Sequence, residues 1–101
     1  MREARVCQMG IPAGFLRELD SGHYEFEYLS NYQGPPVSLT LPIRRQPYQS
    51  ETFPAFFEGL LPEGPQLDGL LRKTKLDEND YLGQLLQVGA DLVGSVTVEA
   101  P

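Results

Sequence analysis

The sequence is poor in the residues on which most protein chemistry depends. Its 101 residues include one histidine, one cysteine and no tryptophan. A lone His23 and a lone Cys7 cannot supply the ligands of an ordinary zinc site, and a single cysteine excludes an intrachain disulfide. No G-x-S-x-G, Walker A or G-x-G-x-x-G sequence occurs. Gly59, Gly64 and Gly69 lack the strand–turn–helix context of a phosphate loop and read as turn and packing glycines. Asp77, Glu78 and Asp80 suit a helix start better than a calcium loop, which needs alternating ligands and a distal glutamate.

Positive charge is scarce as well. Eight Lys and Arg stand against fourteen Asp and Glu, a net charge of −6. Neutralising phosphates takes cations, and the basic clusters Arg44–Arg45 and Arg72–Lys73–Lys75 are not interleaved with aromatics. Direct nucleic-acid binding is therefore disfavoured. No apolar run approaches the roughly 20 residues that span a bilayer. The charged start Met1-Arg2-Glu3-Ala4-Arg5 is followed by no apolar stretch of a secretory signal. Taken together, these gaps lead to the expectation of a cytoplasmic protein with no enzyme activity, no cofactor and no metal, which works by binding another protein.

What remains suffices to fold. Hydrophobic residues make up 41% of the chain, enough for one core in one domain, residues 1–101. Ala4–Gln8 and Ile11–Leu19 read as strands around a Met9-Gly10 turn, with Cys7 as a small apolar strand residue. After the Asp20-Ser21-Gly22 turn, Tyr24, Phe26 and Tyr28 alternate with His23, Glu25 and Glu27. A period of two gives a strand with an aromatic face buried and an acidic face wet. On that alternation His23 is an exposed strand residue rather than a base or ligand. Val37, Leu39 and Leu41 alternate with Ser38 and Thr40 and predict another strand, stopped by Pro42.

The second half reads as short helices. Ser50 and Thr52 are candidate N-caps and Pro54 fits a first helical turn. Phe56, Phe57, Leu60 and Leu61 follow at helical spacing, with Pro62 as the stop. Two adjacent phenylalanines cannot face one core from one helix, so one belongs at its edge. Glu63-Gly64-Pro65 reads as a tight linker. Leu67, Leu70 and Leu71 predict a second helix whose cationic end Arg72–Lys75 suits the helix dipole. Asp77 or Asn79 caps a third helix carrying Leu82, Leu85, Leu86 and Val88, closed by Gly89 as a C′ residue. Val96 and Val98 predict a last strand returning to the N-terminal sheet. The fold class is α+β, an antiparallel sheet with about three short helices packed on one side.

Three blocks then occur in order: Pro36-Val37-Ser38-Leu39-Thr40-Leu41-Pro42-Ile43, Phe56-Phe57-Glu58-Gly59-Leu60-Leu61-Pro62-Glu63-Gly64, and Leu85-Leu86 with Gly89-Ala90-Asp91-Leu92-Val93-Gly94-Ser95-Val96. They resemble the N-terminal subdomain of the HipA family of serine/threonine-kinase toxins. There the pattern is roughly P-x-S-L-S-L-P-L, F-F-x-x-L-L-P-[DE] and L-L-x-x-x-G-x-D-x-x-G-A-V. The resemblance runs over nearly the whole chain. In that family the subdomain is followed by a kinase body. Here the sequence ends at Pro101, so no ATP-binding or catalytic residue carries over.

The resemblance extends to a stand-alone form of the subdomain, HipS, the small antitoxin of three-component systems that also hold a shortened kinase, HipT, and a helix-turn-helix protein, HipB. It implies an antitoxin that binds and inhibits a HipA-like kinase, with contact to DNA only through a HipB-like partner. The alternative is a non-inhibitory scaffold or activating subunit of a split kinase. The expected contact residues are Pro62, Glu63, Gly64, Pro65 and Gln66, on a turn that two prolines should make project, and Asp68 beyond it. Asp91 is expected to tie down the last turn before the closing strand.

Overall fold

Alternating sequence becomes sheet over most of the first half. β1 (Arg2–Gln8) and β2 (Ile11–Glu18) form a hairpin, with β3 (Tyr24–Tyr28), a short β4 (Tyr48–Ser50) and, at the far end of the chain, β5 (Val96–Glu99). In the computed structural model, which describes residues 2–92 and 94–101, these strands form one antiparallel sheet in the order β4-β3-β2-β1-β5. Three helices, α1 (Ala55–Glu58), α2 (Gly64–Thr74) and α3 (Tyr81–Val88), complete an α+β fold. A 3₁₀ turn, Gly89–Asp91, follows α3.

The hairpin turn has a clear local cause. Met9 and Gly10 both take positive φ, 52° and 80°, the two-residue turn whose twist matches the strands it joins. One face of the sheet carries Ala4, Val6, Leu16, Phe26, Tyr28, Val96 and Val98, all buried. Phe57, Leu82 and Leu85 cover it from α1 and α3, and all three have zero exposure. Aromatic rings knit this layer: Phe26 meets Phe57 at 5.3 Å and Tyr24 meets Phe53 edge-on at 5.2 Å. Gly89 lies against β5 so closely that a Cβ there would run into the Val98 carbonyl oxygen. Cys7 is a buried strand residue as expected, and burial pushes its thiol pKa up.

The opposite face is ionic. Arg17 donates to Glu3 at 2.7 Å, Glu27 at 2.9 Å and Glu25 at 3.1 Å. The acidic alternates of β3 are thus half-buried partners of one arginine. His23 is exposed, just before β3.

Several local expectations are corrected. Val37–Leu41 is not a strand. Ser38 and Leu41 form an isolated bridge around a turn, and Leu39 is 96% exposed. The Ser38 hydroxyl accepts from the Thr40 N–H and bonds the Thr40 hydroxyl, a local side-chain turn that outcompetes extension. The strand that does follow is β4, which contains Ser50. Neither Ser50 nor Thr52 caps α1, whose N-cap is Pro54, and α1 ends at Glu58, short of Leu60 and Leu61. The cap of α3 is Asp80, accepting from Gly83 N–H at 3.1 Å, whereas Asp77 accepts from Asn79 N–H and Asn79 caps nothing. Gly89 keeps right-handed φ, −58°, so it serves close approach to β5 rather than a left-handed stop.

Candidate interaction surface

The segment from Gly59 to Asp68 joins α1 to α2 and carries all six expected contact residues. Its conformation follows from its sequence. Leu60 and Leu61 donate back to Phe57 and Glu58, both at 3.1 Å, closing the turn after α1. Pro62 has no N–H with which to continue. Glu63 is extended (φ −128°, ψ 164°), with no side-chain cap bond. Gly64 then takes φ 58°, a left-handed value that a residue without Cβ adopts at least cost. Pro65 follows in the first helical turn, where its missing N–H leaves no bond unmade.

Part of the expected turn is therefore helix. Gly64, Pro65 and Gln66 open α2 instead of linking to it, and Asp68 lies within α2. The two prolines do constrain the entry, but by seeding a helix. Pro62 is half-buried, and Glu63, Gly64, Pro65, Gln66 and Asp68 are exposed.

Beneath this exposed edge Leu60 and Leu61 are half-buried against the core, as is Phe56, whereas Phe57 is fully buried. The adjacent phenylalanines divide as steric reasoning requires, one in the core and one at its rim. The Leu61-Pro62 segment stands between two shallow cavities. One, of about 380 Å³, is walled by Leu60, Leu61, Pro62 and Gln66 on one side and Val88, Asp91 and Leu92 on the other. The second, of about 290 Å³, lies between Pro62, Glu63 and Leu67 on one side and Tyr81 and Gln84 on the other.

Two of the three sequence blocks thus meet at one place, the Phe56–Gly64 block and the block beginning at Leu85. Val93, in the latter, lies outside the described residues. The Pro36–Ile43 block lies elsewhere, held to β3 by Tyr28, whose hydroxyl donates to the Leu41 carbonyl and accepts from Val37 N–H. Asp91 does not tie down its turn by a side-chain bond among the described residues. It is exposed and lines the cavity. Its neighbourhood to Leu60–Pro62 was not legible in the chain order, which separates them by two helices and the loop between them.

The floor of this region is fixed by polar contacts. Gln84, 1% exposed, donates from its amide to the carbonyls of Asp77 and Glu78, both at 3.1 Å. Arg2 bridges Asp80 at 2.7 Å and Glu18 at 2.9 Å, which ties the start of α3 to β1 and β2. Hydrogen bonding to Arg2 holds both carboxyl pKa values below the usual range. A second unexpected feature is the hairpin tip, where Met9 and Ile11 are 73% and 60% exposed beside a cavity of about 470 Å³. Apolar residues in and just after a two-residue turn were the signal for it. Among the described residues no group of three or more His, Cys, Asp or Glu side chains is placed to hold a metal ion, and no helix is long and apolar enough to cross a membrane.

Comparison with known proteins bears on this geometry. The family model for the HipA N-terminal domain matches residues 4–99. A Haemophilus influenzae protein described only as uncharacterized is 34% identical over 99 residues, covering 98% of this chain and 92% of its own length. A solved structure titled as the N-terminal domain of HipA toxin superposes with a TM-score of 0.78 at 31% identity, covering all of this chain and 93% of that one. A chain of the solved Shewanella oneidensis complex of HipA, HipB and operator DNA shares the fold, with a TM-score of 0.80 at 20% identity. There the match covers 95% of this chain and 23% of that chain.

Proposed function

The chain belongs to the HipA N-terminal domain family, and on that premise we propose that it acts in a toxin–antitoxin system as an antitoxin that binds and inhibits a HipA-like kinase (HipT). The observation that carries this reading is the Leu60–Asp68 edge. It joins two of the three family-like blocks, presents exposed polar groups over half-buried leucines, and is conformationally pinned by Pro62, Gly64 and Pro65. A pinned edge costs little ordering entropy on docking. On this reading the protein catalyses nothing itself. It works in the cytoplasm by occupying a kinase surface and holding a mobile loop or the active-site cleft in an inactive arrangement. A helix-turn-helix partner of the HipB type joins a larger assembly and supplies any contact with DNA.

The test is a titration of this protein into a purified HipA-like kinase from the same organism, following autophosphorylation and substrate phosphorylation. Stoichiometric loss of activity with a co-eluting complex is the expected result. Binding with unchanged or raised activity would assign the protein instead as a scaffold or activating subunit. Truncating Glu63, Gln66 and Asp68 to alanine should weaken the complex at least tenfold while leaving the thermal midpoint in place. Unaltered inhibition by that variant would remove this edge from the interface.

A further inference from the structure

α2 differs from every other helix in the fold, because none of its residues is buried. Leu67, Leu70 and Leu71 form its apolar stripe at i, i+3 and i+4 and are half-buried, yet they are not among the side chains packed on the core. The helix also ends in cations that its own chain leaves unneutralised. Arg2, Arg5 and Arg17 all pair with carboxylates of the sheet and of Asp80, and Arg44, though it pairs with no carboxylate, bonds the Gln46 and Pro47 carbonyls and lies over the Tyr48 ring. Arg72, Lys73 and Lys75 are exposed and have no carboxylate within salt-bridge distance among the described residues. This happens in a chain with fourteen acidic residues to choose from. Between Gly64 and Lys75 stands one acid, Asp68, against those three cations.

The helix dipole accounts for why cations suit that end, but it does not neutralise them or cover the leucines. Lys75 caps the helix in left-handed conformation (φ 58°), donating its N–H to the Leu71 carbonyl at 2.8 Å. The cationic end is thereby held at a fixed place. An isolated helix of this length is marginal in water, so docking would stabilise it.

We propose that α2 is the long axis of the docking surface. Its leucine stripe seats in an apolar groove of the partner kinase, and Arg72, Lys73 and Lys75 face carboxylates that rim that groove. This rests on the inhibitory reading and adds the chemistry of the partner's surface. The occupant is a protein with acidic charge rather than a nucleic acid, because the half-buried leucine stripe beside the cations needs apolar cover that a phosphate backbone does not offer.

The experiment compares wild type, the triple reversal R72E/K73E/K75E and Leu70→Asp, each titrated against the HipA-like kinase at low and at moderate salt, with a DNA duplex in parallel. Circular dichroism confirms that each variant is folded. The reversal alters only exposed side chains and so keeps the test valid if Leu70→Asp unfolds α2. The expected result is at least a tenfold weaker complex for the reversal at low salt. Wild-type affinity should fall as salt rises, and that dependence should shrink in the reversal. If wild type inhibits and the reversal inhibits equally well with the same salt dependence, this proposal fails while the inhibitory reading stands. Wild type that binds no kinase overturns both, and wild type that binds the duplex in preference to the kinase replaces the acidic protein with a phosphate partner.

Discussion

The sheet and α2 are made from similar leucines, arginines and acids, and the two regions use them in opposite ways. On the sheet, apolar side chains are covered by α1 and α3, and each arginine of β1 and β2 is bound to one or more carboxylates. On α2 the leucines remain half-exposed and the cations stay without partners among the described residues. The first arrangement is what stability requires. The second adds little to stability, and such a surface makes sense where binding is the task.

Truncating one apolar side chain in each region tests that contrast most strongly. Phe57→Ala removes a ring with zero exposure that touches Phe26 and should cost about 3–5 kcal/mol, a large share of a domain's typical stability. Leu70→Ala should cost about 1 kcal/mol, because its leucine is only half-buried. Urea denaturation of both measures the gap. Equal losses would mean that α2 is integrated into the core after all.

The next effect concerns the joint between the regions. Asp80 caps α3 and binds Arg2, so Asp80→Ala should cost about 1–2 kcal/mol. Smaller still is the acid response of the same joint. The carboxyls of Glu18 and Asp80 have folded pKa values below their ordinary ones, principally through hydrogen bonds from Arg2. A lowered folded pKa means that the unfolded chain binds protons first as the pH drops. Their contribution is therefore fully present above the ordinary carboxylate range and is lost on acidification through and below it. Because Arg2 is partly exposed, solvent screens the effect. A thermal midpoint followed from neutral to acid pH should fall less steeply in Arg2→Met than in wild type, and parallel curves would remove Arg2 from the account.

Much of the sheet was legible because period-two alternation is a direct image of a half-buried strand, as in Tyr24–Tyr28. The same signal misled at Val37–Leu41, where Ser38 and Thr40 bond each other and the local backbone instead of leaving the chain extended. β4, three residues long, carries too little pattern to register. Around α3, Asp77, Asn79 and Asp80 all bear cap-forming side chains, and only tertiary contact with Arg2 and the line of the helix select Asp80. The candidate surface was legible as a segment, since Pro62, Gly64 and Pro65 announce constrained backbone. Its depth was not. That Val88, Asp91 and Leu92 wall the same cavity as Leu60 and Pro62 depends on how the chain closes through β5.

The smallest predicted change in overall stability is the most discriminating between the regions. Gly69 sits in the interior of α2, and a Cβ added there would meet nothing within 4 Å. Gly69→Ala should therefore favour the helix by about 0.5–1 kcal/mol without disturbing any contact. If α2 opens independently of the sheet, the gain belongs to that local equilibrium alone. Hydrogen exchange of amides late in α2, such as Leu71 and Arg72, should slow about twofold to fivefold. Exchange at Val6 and Leu16 and the urea midpoint should stay where they are. If α2 instead melts together with the sheet, the midpoint rises with it and the late α2 amides gain no protection of their own beyond that of Val6 and Leu16. A helix that opens alone is one that docking can also hold closed, and binding of the kinase should then slow exchange of the same α2 amides.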